Sequence, residues 1–167
     1  DGGSDSYRYN GSRSYEGNRS IRIRDNTNSS VMTLSNVDVT SYSSIDIEFY
    51  FYSYSMENGE DFWVQYHDGS SWNTVASYAR GTNFENNNFY SATVTINSGS
   101  YNFPSNARFR FRNDASGNND HIYIDQVTIT GNPGASNLTN SITTLGPPLN
   151  GILGDEDFEF ESDFLLY

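Results

Sequence analysis

The sequence contains no cysteine and no lysine. The first absence excludes a disulfide framework and any thiol chemistry. The second leaves arginine as the only long cation, with nine copies. Positive charge is scarce: 21 acidic residues against those nine give a formal net charge of −12. That balance argues against a nucleic-acid partner, because phosphate binding needs a basic patch. An acidic surface resists aggregation and attracts divalent cations. No apolar run reaches the roughly eighteen residues of a membrane-spanning helix, and no window of about twelve residues carries a helical period. The first residue is Asp, with no visible signal peptide or tag, which reads as a trimmed product of a longer precursor.

What is abundant points to strands. Aromatics make up 16% of the chain, with thirteen Tyr and eleven Phe, and most of the rest is Ser, Asn, Thr and Gly. Aromatic and β-branched side chains suit a pleated surface, and Asn, Gly and Ser suit turns. Period-two alternation recurs in Ile21–Ile23, Ile45–Phe51, Phe62–Tyr66, Tyr90–Ile96 and Phe109–Phe111. Asp68-Gly69 marks a hairpin between the strand ending at His67 and Trp72–Tyr78. In the last segment Ile122 and Ile124 are followed by Val127 and Ile129, and the step of three predicts a β-bulge at Asp125-Gln126. Seven or eight short strands at this spacing make a sandwich of two antiparallel sheets over residues 1–131.

The character changes afterwards. Residues 132–154 are rich in Gly, Pro, Asn, Ser and Thr and read as an extended linker. In 155–167 alternation returns: Phe158, Phe160, Phe164 and Leu166 share one side, and Asp157, Glu159, Glu161 and Asp163 the other. Such a segment is a strand that needs a sheet.

Catalysis needs convergent groups, and none is visible. His67 and His121 fall on outward strand positions near turns, Glu57, Glu60 and Asp61 sit in an acidic turn, and no nucleophile or metalloprotease motif occurs. No enzymatic role is expected. Aromatic faces stack on sugar rings, and arginine forks grip carboxylate or sulfate groups. Tyr50, Tyr52, Tyr54 and Trp63 oppose the core-facing positions of their strands, as do Arg108, Arg110 and Arg112, so these are the glycan-binding candidates. Cross-strand stabilisation of an ordinary solvent-facing sheet explains the same residues equally well. A bulge re-aims a side chain, which makes Asp125 a candidate calcium ligand. Glu16, Asp1 and Asp5 are possible partners from the N-terminal loop, and Glu161 if the tail is supplied as a strand.

The segments "DGGSDSYRYNGSRSYEGNRSIRIRD" (1–25), "SMENGEDFWVQYHDGSSW" (55–72) and "DHIYIDQVTITG" (120–131) make residues 1–131 resemble secreted Bacteroidetes-type jelly-roll modules, similar to carbohydrate-binding and MAM-like domains. The resemblance implies an all-β jelly-roll fold and a structural calcium on the terminal-strand acid, here Asp125. The closing "FLLY" (164–167) resembles the lead-in to a type IX secretion sorting domain, which implies export to a bacterial cell surface. Modules of this kind open with a strand of form Phe-Glu-Ser-x-Phe, ahead of the segment with which this chain begins. The tail holds "FESDF" (160–164), which has that form. Two functions stay open. One is an extracellular structural subunit that joins copies of itself head to tail into a filament by donor-strand complementation, through Phe158, Phe160, Phe164 and Leu166. The other is a carbohydrate-binding module taking an anionic polysaccharide.

Overall fold

The computed structural model describes residues 3–134. The readings made for residues 135–167, including Glu161 and the Phe158, Phe160, Phe164 and Leu166 row, lie outside the described residues, as does Asp1. Nine strands occur among those described: β1 (Ser6–Asn10), β2 (Arg19–Arg24), β3 (Val31–Val37), β4 (Ser44–Tyr54), β5 (Asp61–His67), β6 (Trp72–Ala79), β7 (Phe89–Asn97), β8 (Ala107–Asp114) and β9 (His121–Asn132). They form a five-stranded sheet in the order β1-β2-β9-β4-β7 and a four-stranded sheet in the order β3-β8-β5-β6. Every pairing is antiparallel.

Alternation decides which side of each strand meets the other sheet. Ile45, Ile47, Phe49 and Phe51 of β4 are buried against Phe62, Val64 and Tyr66 of β5 and Phe109 and Phe111 of β8. Aromatic rings fill the centre. Phe49 meets Phe111 edge-on with centroids 4.8 Å apart, and Phe51 meets Phe62 at 4.9 Å. The buried Tyr66 hydroxyl donates to the Asn102 carbonyl at 2.8 Å, as a buried donor requires.

Two strands escape the period-two reading. β1 is short and polar, with its outer edge open to solvent. β3 has apolar residues on both sides: Val31 lies opposite Arg112 on the outer side yet is buried, while Met32 and Leu34 lie opposite Phe111 and Phe109 on the inner side. The bulge falls one residue beyond the expected Asp125-Gln126 pair. Glu48 pairs with Thr128 and Tyr50 with Asp125, so Gln126 and Val127 together oppose Phe49. Gln126 takes a positive φ of 46°, the local kink that an extra residue produces.

Candidate functional site

The outer side of the four-stranded sheet is built in three rungs. On the first, Arg112 of β8 faces Trp63 of β5, which faces Ser77 of β6. On the second, Arg110 faces Gln65 and then Thr74; on the third, Arg108 faces His67 and then Trp72. Successive arginines along β8 therefore stand about 7 Å apart. The guanidinium carbon of Arg110 lies 3.9 Å from the Trp72 ring centroid, that of Arg108 lies 5.1 Å from the same ring, and that of Arg112 lies 5.6 Å from Trp63.

Neighbours fix these side chains. Arg110 Nε donates to Gln65 Oε1 at 2.7 Å, and Gln65 Nε2 donates to Thr74 Oγ1 at 2.9 Å. Gln65 points outward and is nevertheless buried, because this chain of bonds covers it. Asp61 Oδ2 accepts from Trp63 Nε1 at 2.8 Å and from the Ser77 hydroxyl at 2.6 Å, which sets the plane of the indole.

The charges are unbalanced. The ion pairs among the described residues are Arg24–Asp5 and Arg80–Glu85; none involves Arg108, Arg110 or Arg112. Arg112 Nε is buried without a hydrogen-bond partner. Burial, followed by Arg112 and Arg108, pushes the Arg110 guanidinium below its usual range. Three like charges held in a row on indole faces, in a chain of net charge −12, form a local cationic strip. The free guanidinium edges suit planar oxyanions, and the indoles suit ring stacking.

Tyr50 and Tyr52 do not belong to this surface. They lie on β4, on the outer side of the five-stranded sheet, whereas Trp63, Arg108, Arg110 and Arg112 lie on the opposite face of the sandwich. The expected single aromatic–arginine face is therefore two faces. Alternation gives the side of a strand but not the sheet that the strand joins. Tyr50 is stacked at 3.7 Å beneath Tyr15, and Tyr52 packs on Phe89 at 5.0 Å. Arg13 sits 3.7 Å over Tyr54 and donates to the Tyr123 hydroxyl at 2.6 Å. These rings hold the loop between β1 and β2 against the sheet.

His121 takes the outward position expected of it and is covered there by its neighbours. Its Nδ1 lies 3.0 Å from the Tyr123 hydroxyl and its Nε2 3.0 Å from the Asn118 carbonyl. Burial first, with Arg22, Arg13 and Arg24, pushes its pKa down to about 4 from an ordinary 6.5, against the Asn118 bond. The unfolded chain thus binds the extra proton between about pH 6.5 and 4, and the contribution of His121 to stability is lost as pH falls through that window. Urea midpoints from pH 7 to 4.5 should fall more steeply in the wild type than in His121→Gln. Parallel curves would contradict this assignment.

Asp125 and Glu16 meet as a loop clamp. Asp125 Oδ2 accepts the backbone N–H of Tyr15 at 2.7 Å and of Glu16 at 3.2 Å, and Oδ1 accepts that of Gln126 at 2.9 Å. The Glu16 carboxylate turns to the Gln126 side-chain amide. Calcium asks for six to eight oxygens; Asp125 and Glu16 give theirs to N–H donors here, and no third carboxylate joins them among the described residues. Asp5 is engaged elsewhere, by the Thr27 hydroxyl at 2.6 Å and Arg24 Nε at 3.2 Å. Asp125→Ala is expected to cost about 1–2 kcal/mol through the lost bonds, equally in calcium and in EDTA. A loss confined to calcium-containing buffer would restore the ion.

A second carboxylate group was only partly legible. Glu57 and Glu60 are joined by Asp120, with one oxygen from each within 4.8 Å of the others. Asp61, expected among them, serves Trp63 instead. Burial, then Glu60 and Glu57, pushes the Asp120 carboxyl up, and the Ser116 hydroxyl donates to Glu57 at 3.2 Å. Trp72 is the residue of the arginine strip that sequence reading left out. The Asp68-Gly69 hairpin carries the missing signal, because it sets Trp72 opposite His67.

No protein-family model matches the sequence, and no curated protein sequence does so either. Solved structures do. The CBM22-1 xylan-binding domain of Paenibacillus barcinonensis Xyn10C superposes with a TM-score of 0.53 at 16% identity, over 72% of this chain and 77% of that one. A candidate sugar-binding protein of Bacteroides thetaiotaomicron superposes with a TM-score of 0.53 at 8% identity, over 78% and 84%. The fold is the jelly-roll sandwich of carbohydrate-binding modules. Likeness at such identities fixes the jelly roll and leaves the ligand to be argued from the site.

Proposed function

We propose that this chain is a non-catalytic carbohydrate-binding module of an extracellular or cell-surface bacterial protein, and that it takes an anionic polysaccharide on the Trp63–Trp72–Arg108–Arg110–Arg112 strip. The observation that carries the reading is the row of three arginines seated on indoles with no carboxylate within 4.0 Å among the described residues. Opposite-charge pairs are one way in which a solvent-facing sheet uses arginine; these three have none among the described residues, which supports a ligand role. Sugar rings stack on the indoles while carboxylate or sulfate groups meet the guanidinium forks. The CBM22-1 xylan-binding domain shares the jelly-roll fold; the charge preference rests on the arginine row of this chain alone.

Native gel electrophoresis through sulfated, uronate-containing and neutral polysaccharides tests this. The anionic gels should retard the wild type, and a triple Arg108→Gln, Arg110→Gln, Arg112→Gln variant should run free. Tyr52→Ala, on the other face, should be retarded as the wild type is. Retardation that follows Tyr52 and ignores the three arginines would move the site. Calcium at Asp125 takes no part in this reading. Assembly through Phe158, Phe160, Phe164 and Leu166 rests on residues outside the described ones.

A further inference from the structure

One rung past the arginine row the same face changes sign. Asp114 follows Arg112 by two places in β8, and Asp61 precedes Trp63 by two places in β5, so both acids lie on the outward side that carries the strip. They are paired directly across the two strands. Both are half-buried, and neither forms an ion pair among the described residues. Like charges set opposite each other destabilise a sheet. The other end of the strip differs. There Asp68 spends its carboxylate on its own turn, accepting from the Ser70 and Ser71 backbone N–H groups and from the Asn73 side chain.

An anionic chain laid along β8 therefore meets three guanidinium groups within about 14 Å, and then, about 7 Å further on, two carboxylates. We infer that Asp61 and Asp114 select the charge pattern of the ligand: the site takes a polysaccharide whose anionic sugars are interrupted by neutral ones, with a neutral sugar at the acid pair. This rests on the carbohydrate reading and names the class of polymer within it. A carboxylate accepts hydrogen bonds from sugar hydroxyls and repels a sulfate or uronate set against it. A polymer charged on every sugar places an anion on the acid pair wherever it slides along the arginines. An interrupted polymer has a register that avoids this. Asp61 has a second task, since its Oδ2 accepts from Trp63 Nε1 and from the Ser77 hydroxyl. Asp61→Asn retains an oxygen for both bonds and removes only the charge, and Asp114→Asn likewise keeps the shape of its side chain.

The test is affinity for two matched pairs of polymers, polygalacturonate beside its partly methyl-esterified form and densely beside sparsely sulfated dextran. An Asp61→Asn, Asp114→Asn protein should bind the dense member of each pair about tenfold more tightly than the wild type does, and the sparse member within about twofold of it. Asp114→Asn alone should show part of that gain. A Glu48→Gln, Asp25→Asn protein loses two acids away from the strip, and it should resemble the wild type on all four polymers. An unmoved Trp63 indole N–H signal in the Asp61→Asn protein shows that the ring has kept its place. Equal gains on dense and sparse polymers, gains matched by the Glu48→Gln, Asp25→Asn protein, or no gain at all overturn the inference while the arginine site stands. Wild-type binding that is absent, or that survives loss of Arg108, Arg110 and Arg112, overturns the carbohydrate reading itself and this inference with it.

Discussion

Arg110→Ala is expected to weaken binding to an anionic polysaccharide by about 10–100-fold, since each 1.4 kcal/mol is worth about tenfold. Arg110 is the middle member of the row. Its guanidinium carbon sits over Trp72, 3.9 Å from the ring centroid, and it is anchored through Nε by Gln65. Its remaining N–H groups are therefore preorganised, and little side-chain entropy is lost when a ligand arrives. A charge-assisted hydrogen bond contributes about 1.5–3 kcal/mol, which sets the size of the loss. Arg110→Lys keeps the charge but gives up the fork and the stacking, so it should recover only part of the affinity. The Arg110→Ala loss should shrink as salt rises, because screening weakens the contribution that the wild type makes. Calorimetric titration checks the ranking; an Arg110→Ala protein within about twofold of the wild type at low salt would remove Arg110 from the site.

Phe51→Ala should be the most damaging single change in the core, at about 3–5 kcal/mol. Phe51 is 3% exposed and contacts five rings: Phe62 at 4.9 Å, Tyr90 at 5.3 Å, Phe84 at 5.5 Å, Tyr78 at 5.9 Å and Phe49 at 6.0 Å. These rings come from both sheets and from the loop after β6, so the surroundings cannot close over the space without shifting several strands. Phe51→Leu keeps most of the volume and should cost far less. Urea unfolding gives both values. A Phe51→Ala protein as resistant as Phe51→Leu would mean that the aromatic cluster is looser than its packing implies.

The sandwich was legible wherever a strand buries one side only. β4, β5, β7 and β8 alternate cleanly because each has one face on the core and one on solvent. β3 was not legible, because Val31 is buried on the outer side and Leu34 is exposed on the inner one, which blurs the period. The bulge could be placed to within one residue from a single irregular step, at Asp125-Gln126 where the structure has Gln126-Val127. The partner of the Asp125 carboxylate could not, because that depends on where the loop around Tyr15 and Glu16 lands. The arginine row was legible as a row, and Trp63 was placed with it. Grouping Tyr50 and Tyr52 with them required knowing that β4 pairs with β7 and β9 while β8 pairs with β3 and β5. Those pairings join residues far apart in sequence and leave no trace in local periodicity. The acidic cluster has the same limit: Glu57 and Glu60 lie in one turn, and Asp120 arrives from a loop some sixty residues later in the chain.

The chain has two tryptophans, Trp63 and Trp72, and both stand on the proposed binding strip, so their indole N–H signals report on that surface alone. In a ¹H–¹⁵N titration with an anionic oligosaccharide, both indole signals should shift together and saturate at the calorimetric midpoint. They should stay in place with salt of equal ionic strength, and Tyr52→Ala should leave the titration unchanged. Binding that saturates while both indole signals remain still would contradict the assignment of this face.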